Sequence, residues 1–415
     1  MKEFLLNLWG KIKKSTIKAK ILLSLLIILY IGIITVSVIQ LEVDATTPGS
    51  ITNVSNVISI ESENKTGNIY TVSVFSKYKV SVMQYFLMKL DKNIDIELGQ
   101  SITYDIFTNN EDYQSNVGYK NQSIQDSIIV AYTKAKEDGY NVTLDYSYKG
   151  QNLINIPQNL YKTGSENFKN NDIVTGYNDI LFTSKEDYYK ALDDIFSNVL
   201  INDNSIKNLK YNNKFQLKDE NGNRIDENIK LIFDIYKLLS TNETTYSFNI
   251  VREKEDKKVN ANLKMLFYLY SGFIIKEEKI YTINENCFEA YTINYDKCSP
   301  KIDINKTTTV GPSGGLLQTL AVYNSITTDD VTKGKKIMGT GGIALDGSAT
   351  IIGGEKQKII TANLYMADVF FIPEENYNDA KKQYDLLKEV SYELVCVKTF
   401  DDVLNYLKNM EVNNG

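Results

Sequence analysis

The chain has 415 residues, 43% hydrophobic and 24% charged. That balance suits two or three folded units and excludes a disordered or polytopic membrane chain. The formal net charge of −6 argues against a dedicated nucleic-acid binder. There is no histidine. Ser-His-Asp and Cys-His catalysis are therefore excluded, and the commonest metal ligand is missing.

In chain order, residues 21–41 come first and carry no charge; about 20 apolar residues cross a bilayer core. Lys2, Lys11, Lys13, Lys14, Lys18 and Lys20 precede this stretch against a single Glu3, while Glu42 and Asp44 follow it. The asymmetry predicts a single-pass anchor at 21–41, a cytosolic basic tail at 1–20 and an outside location for the rest. A cleaved leader is the competing reading, but its apolar region is normally shorter. Three cysteines, Cys287, Cys298 and Cys396, fit no zinc spacing. Cys287 and Cys298 could close a short loop by a disulfide, or all three could be unpaired thiols.

Residues 53–82 are strand-like, with VISIES and IYTVSVFSKYKVSV separated by an ENKTGN turn. A helix follows. Ser123 with Asp126 resembles a capping-box start, Ile124, Ile128, Ala131 and Ala135 recur at helical spacing, and Gly139 ends it. Residues of about 145–262 are polar and rich in Asn and Lys, and the stretch at about 203–230 reads as an insertion in a small domain. Within them NDIVTGYNDILFTSKEDYYKALDDI predicts strand, turn, strand and a helix capped by Ser184. After an Asn/Lys-rich stretch at about 203–230, TYSFNIVREKEDKKVNANLKM predicts a hairpin with EKEDKK at its tip. Glycines then crowd between Gly311 and Gly354, which marks tight turns and close backbone approach. ADVFFIP predicts a buried strand, YNDAKKQYDLLKEV a helix, YELVCV a strand and TFDDVLNYLKNM a last helix.

The chemistry centres on VGPSGGLLQTLAVYNSI. Ser313 follows Pro312 at the start of a predicted helix, where free N–H groups and the positive dipole end suit an oxyanion. The competing reading makes Ser313 a plain N-cap. A serine nucleophile without histidine needs a lysine as base. Ser76-Lys77-Tyr78-Lys79 offers the short SxxK spacing and Lys162-Thr163-Gly164 a KTG triplet. Strand alternation, however, turns Ser76 and Lys79 to opposite faces. A phosphate loop is absent, since Gln357 follows Lys356 where Ser or Thr is required, so no nucleotide is expected. The remaining candidates are distant, Lys356 and Lys358, and helical periodicity does not choose between them.

Four ordered pieces carry a family resemblance: Gly311-Pro312-Ser313-Gly314-Gly315, Thr340-Gly341, Gly353-Gly354-Glu355-Lys356-Gln357-Lys358 and Ile372-Pro373-Glu374-Glu375-Asn376. Together they resemble the proteolytic domain of Lon-type serine peptidases. The resemblance implies Ser313 as nucleophile and Lys358 as general base, with Thr340 orienting the lysine. Gly311, Pro312 and Gly314 would form the oxyanion loop. Ile359, Ala362, Met366, Leu316 and Leu317 are expected to supply apolar surroundings for the amine. Val310, where the family often has an acidic residue, and Glu355, where it has an aliphatic one, depart from the pattern.

The layout also resembles the membrane-anchored, PDZ-containing Lon-like peptidases of bacteria. NDIVTGYND is similar to a PDZ strand-turn, and TTYSFNIVREKEDKKVNANL to its closing hairpin. The fold implied is α+β: an N-terminal transmembrane helix and a Lon-type domain at 50–145 and 263–415, interrupted by a PDZ-like module at 146–262. The function implied is ATP-independent endopeptidase action, through a Ser-Lys dyad, on unfolded or flexible extracytoplasmic segments of proteins. The expected partners are protein or peptide substrates and the bacterial cell membrane, with no nucleic acid, nucleotide, cofactor or metal; homo-oligomer formation is left open. The alternative is a catalytically silent Lon-like or PDZ-like binding or scaffold protein at the cell surface.

Overall fold

The computed structural model describes residues 16–61, 68–99, 106–158, 160, 167–200, 229–283 and 285–410. Most of the basic tail, the body of the ENKTGN turn, the Lys162-Thr163-Gly164 triplet and nearly all of the 203–230 stretch lie outside the described residues. The elements, in chain order, begin with α1 (Ile17–Val38), β1 (Val43–Asn53), β2 (Ile58–Ile60), β3 (Ile69–Lys77), α2 (Val82–Met88), β4 (Asp95–Leu98), α3 (Asn109–Glu137) and β5 (Tyr146–Leu153). Then come β6 (Ile173–Tyr177), β7 (Ile180–Leu181), α4 (Lys185–Leu200), α5 (Ile229–Ser240), β8 (Thr245–Arg252), β9 (Glu255–Asn262), α6 (Leu263–Ser271), β10 (Phe273–Lys276), β11 (Lys279–Thr282), β12 (Cys287–Ile293) and β13 (Ile302–Ile304). The last are α7 (Gly315–Ile326), β14 (Ile337–Gly339), β15 (Gly342–Ile343), β16 (Ala349–Thr350), α8 (Glu355–Leu364), β17 (Val369–Pro373), α9 (Glu374–Asp385), β18 (Glu393–Val397) and α10 (Phe400–Asn409). The chain divides into two compact units, residues 1–49 with 74–99, and residues 50–73 with 100–415.

In the first unit α1 is long and apolar enough to cross a membrane, and none of its residues is buried. It starts before the apolar stretch because the Thr16 hydroxyl accepts the Ala19 N–H. It stops at Val38, short of residue 41. Ile39 is extended there, and the Leu41 N–H donates to the Val80 carbonyl at 2.9 Å. Beyond it β1 pairs antiparallel with β4, Val43 opposite Leu98 and Thr46 opposite Asp95. Neither strand was expected; VDATTPGSITN carries too little β-branched alternation to announce one.

The second unit holds a sheet ordered β18-β17-β14-β3-β1. β3, β14, β17 and β18 run parallel, Ile337 lying between Ile69 and Val369, and Phe370 opposite Leu394. β17, VFFIP, is buried at every position. Its Val369 and Phe371 join a core with Ile128 of α3, Leu320 of α7 and Leu407 of α10. Phe370 and Ile372 join another with Ile359 and Ala362 of α8 and Ala380 of α9. Alternate side chains of one strand thus feed helices on both faces, which is why the strand reads as an unbroken apolar run.

A separate antiparallel sheet follows the order β12-β5-β6-β8-β9, with β7 paired to β6. Its core takes Tyr188, Tyr189 and Leu192 from α4, Ile235 from α5 and Phe267 from α6. The β8–β9 hairpin turns at Glu253 and Lys254 alone, both with positive φ (54° and 68°). Glu255 to Lys258, expected in the tip, therefore belong to the strand. The Ser184 hydroxyl accepts the Asp187 N–H at 3.4 Å, at the start of α4.

One expectation is corrected, and one alternative is decided. The long helix α3 begins at Asn109, not at Ser123. Thr108 caps it, accepting the Glu111 N–H, while the Glu111 carboxylate accepts the Thr108 N–H. Ser123 and Asp126 are interior helical residues. The early buried face consists of Glu111, Ser115 and Gly118, which no hydrophobic period can reveal. Cys287 and Cys298 do not bond each other; both are buried free thiols. Cys287 shares a 3.4 Å hydrogen bond with the Tyr189 hydroxyl, and Cys298 donates to the Asn294 carbonyl.

Candidate active site

The serine loop, Gly311–Gly315, joins an irregular segment to α7. Two bonds from α3 and its neighbours hold it: Gly311 N–H donates to the Asn116 carbonyl (3.0 Å), and the Ser123 hydroxyl donates to the Pro312 carbonyl (2.9 Å). Gly315 is required by closeness. A Cβ there would meet the Ser123 Oγ at 2.8 Å and the Ile343 N at 2.9 Å. Ser313 is not the N-cap of α7. Gly314 occupies that position and makes no side-chain cap, so the N-cap reading of Ser313 is corrected.

Strand β14 delivers the next piece. The Thr340 N–H donates to the Phe371 carbonyl of β17 at 3.0 Å, which fixes the threonine just past the end of this central strand. Its neighbour Gly341 is tied to the serine loop in both directions. The Gly341 N–H donates to the Ser313 carbonyl (2.9 Å), and the Leu316 N–H donates to the Gly341 carbonyl (3.0 Å). Thr340 is fully buried, and its hydroxyl donates to the same Ser313 carbonyl at 3.1 Å.

Helix α8 supplies the lysine. Gly354 stands at its N-cap in the left-handed region, and Lys358 lies one turn further, its N–H on the Gly354 carbonyl (3.1 Å). Lys358 is only 2% exposed, whereas Lys356, on the other side of the helix, is half-buried. The Lys358 Nζ donates to the Thr340 Oγ1 at 3.0 Å. A continuous path therefore runs from amine to threonine hydroxyl to the backbone of Ser313. Burial pushes the Lys358 amine down from its ordinary 10.5 to about 7; the Glu355 carboxylate pulls the other way but is the smaller effect. Ile359 and Ala362 are buried on the same helix, and Leu316 and Leu317 on α7. Met366 falls past the end of α8 and is exposed, so it is removed from the expected apolar surroundings.

The IP-x-EN piece has a positional role that sequence reasoning missed. Asn376 of α9 accepts the Ile352 N–H (2.9 Å) and donates to the Ile352 carbonyl (2.8 Å), which fixes the turn leading into α8. Ser123 was likewise assigned to the wrong task. Only its recurrence beside a distant loop identifies it, and a single sequence gives no signal for that. The helix-start amides are also fewer than expected for an oxyanion. Gly315 donates to the Pro312 carbonyl and Leu316 to Gly341, while Gly311 is held by Asn116 and Pro312 has no N–H. Of Gly311, Pro312 and Gly314, the Gly314 N–H alone is clear of these bonds.

Beside the serine loop lies an open cavity of about 840 Å³. Pro312, Ser123 and Gly342–Leu345 line one part of it, and Asp126, Glu285 and Glu289 another. Asp126 is buried, and desolvation pushes its carboxyl up to about 7. Among the described residues no group of three or more His, Cys, Asp or Glu is placed to hold a metal.

This geometry sits in a region that is similar to known proteins. Residues 272–409 match the Lon protease (S16) C-terminal proteolytic domain. The chain is 33% identical over 165 residues to the Lon protease of Mycoplasma pneumoniae, covering 38% of this chain and 20% of that protein. It is 31% identical over 135 residues to the Lon protease of Lachnoclostridium phytofermentans (32% and 16% covered). With the Lon protease of Campylobacter jejuni it shares 37% identity over 128 residues (29% and 14% covered). The chain thus spans a fifth or less of the length of these relatives.

Proposed function

We propose that the chain is a membrane-anchored serine endopeptidase in which Ser313 is the nucleophile and Lys358 the general base. The observation that carries this reading is the buried Lys358 amine, hydrogen-bonded to Thr340, whose hydroxyl bonds the Ser313 carbonyl. A lysine acts as base only when neutral, and burial provides that state near neutral pH. The neutral amine takes the Ser313 hydroxyl proton as its oxygen attacks the scissile carbonyl, giving an acyl-enzyme and an amine leaving group. The protonated Lys358 returns the proton to that leaving group, then activates water to release the acyl chain. The Gly314 N–H at the start of α7 is the loop donor for the developing oxyanion.

The rest of the assignment follows the same reading. Residues 21–41 anchor the chain in a bacterial cell membrane with the peptidase outside. Residues 50–145 and 263–415 form the proteolytic domain, and 146–262 a PDZ-like module. The strand-turn of β6–β7 and the β8–β9 hairpin support the module. Substrates are flexible or unfolded extracytoplasmic protein segments, cleaved without ATP.

The test is single-turnover cleavage of an unfolded protein, without ATP or divalent metal. Ser313→Ala is expected to abolish cleavage, and Lys358→Arg nearly so, because a guanidinium stays protonated. Lys356→Ala is expected to keep most activity. Full activity in Ser313→Ala defeats the peptidase reading. Loss in Lys356→Ala with retention in Lys358→Arg assigns the base to the other lysine.

A further inference from the structure

We propose that helix α2 and the turn after it form a second membrane contact, an apolar face lying in the lipid interface where α1 leaves the bilayer. The proposal rests on the reading of α1 as a spanning anchor and adds a surface which that reading does not need.

The first observation is the pattern of the face. Met83, Phe86 and Leu87 lie within an arc of about 100° on α2, and Leu90 follows in the turn after it. All four are exposed, Phe86 at 65% and Leu90 at 82%. A soluble surface normally scatters such side chains singly. Here they form one stripe, with Phe75 and Tyr78 exposed in the same unit. The helix itself is firmly made, since Ser81 and Gln84 close a capping box.

The second observation is where that stripe is attached. Gln40 bridges Ser81, and the Val82 N–H donates to the Ile39 carbonyl at 3.0 Å. The Ser37 hydroxyl donates to the Met83 sulfur at 3.1 Å. The first turn of α2 is thus fixed to the last residues of α1. The charge-free part of α1, residues 21–38, is about 27 Å long, close to the roughly 30 Å hydrocarbon core, so its end lies near the bilayer boundary. Every residue of α2 then starts from interface depth.

The third observation is charge. Between residues 75 and 92 stand Lys77, Lys79, Lys89 and Lys92 against Asp91, in a chain that is acidic as a whole. Lys89 extends over the Tyr85 ring at 4.8 Å, off the apolar stripe. An apolar stripe bordered by lysines is the composition of an interfacial helix on anionic lipid. A lipid surface therefore accounts for the face better than a second protein does.

The experiment uses the full chain in vesicles of phosphatidylcholine and phosphatidylglycerol. Trp9, the single tryptophan, is replaced by Phe, and Phe86→Trp, Leu90→Trp or Ile28→Trp is added. Lipids brominated near the headgroup end of the acyl chain should quench most of the Phe86→Trp and Leu90→Trp emission. Lipids brominated near the chain end should quench Ile28→Trp more. If Ile28→Trp is quenched while aqueous iodide reaches Phe86→Trp and Leu90→Trp, the interfacial face is wrong and the anchor stands. If those two are shielded from both bromine and iodide, a protein surface covers them and the proposal is overturned. Quenching at 86 and 90 without quenching at 28 supports the interfacial face and removes the spanning anchor. No bromine quenching at any of the three overturns both.

Discussion

A buried amine with one hydroxyl partner makes Lys358 the most telling residue of the chain. Its folded value of about 7 lies below the ordinary 10.5, so between these values the unfolded chain binds the extra proton. Stability therefore rises with pH across that window, and the penalty of a buried ammonium is fully present below about 7. Lys358→Met should raise stability below pH 7 by on the order of 3–5 kcal/mol, the gap shrinking as pH rises toward that of a free lysine. Denaturant titrations at several pH values check this. Cleavage should rise with pH through about 7 for the same reason, and a rate that falls across that range contradicts a lysine base. Thr340→Val removes the group that both accepts from Lys358 and donates to Ser313. It should lower kcat by about 10–100-fold with little change in KM, since a hydrogen bond to a charged group is worth about 1.5–3 kcal/mol. The choice of Lys358 over Lys356 came from family register alone. Burial now separates the two, and burial of one polar residue on a helix is invisible in a sequence whose apolar period is weak at that point.

Among the elements, those with a strong period were legible. β17, β18 and α10 follow the predicted runs closely, α9 (Glu374–Asp385) starts three residues before its predicted run and stops five short of its end, and the β6–β7 turn with the helix after it was read from NDIVTGYNDILFTSKEDYY. The failures share a physical cause. The first turns of α3 bury Glu111, Ser115 and Gly118, polar or small side chains chosen by specific partners rather than by hydrophobicity. Gly118 is small because a Cβ would sit 2.6 Å from the Asn171 Oδ1. The same logic gives the antiparallel sheet a buried ion pair. Asp172, before β6, is fully buried and receives Arg252 of β8 on both oxygens, Nε to Oδ1 and Nη2 to Oδ2, each at 2.6 Å. Asp172→Ala strips a mostly buried guanidinium of its partner and should cost about 3–5 kcal/mol. Lys258→Ala, which breaks the exposed pair with Asp179, should leave the denaturation midpoint unchanged within error. Equal effects from the two changes would mean that the buried pair does not hold the β6–β8 region together.

For the whole molecule, the site was legible because its four pieces keep a fixed order along 311–376, while the fold alone explains why they meet. β14 lies beside β17, α8 packs on one face of β17 and α7 on the other, so residues far apart in sequence converge at one edge. The orientation proposed for that assembly across a membrane is a separate matter, and it rests on charges flanking residues 21–41. Lysines favour the cytosolic side of a span, and the bias counts within about 15–20 residues of its ends. Six lysines against Glu3 precede residue 21, whereas Glu42 and Asp44 follow residue 41. On the proposed reading, this imbalance keeps the amino end inside and places residues beyond the span outside. A protease added to intact protoplasts should therefore degrade the protein beyond about residue 45 and leave a short amino-terminal fragment, visible with an N-terminal tag. Replacing Lys11, Lys13, Lys14, Lys18 and Lys20 by Gln should weaken the bias and protect part of the population. If the wild-type peptidase region is cut only after the membrane is breached, the lysine asymmetry does not set its topology, and any cleavage it performs takes place on the cytosolic side.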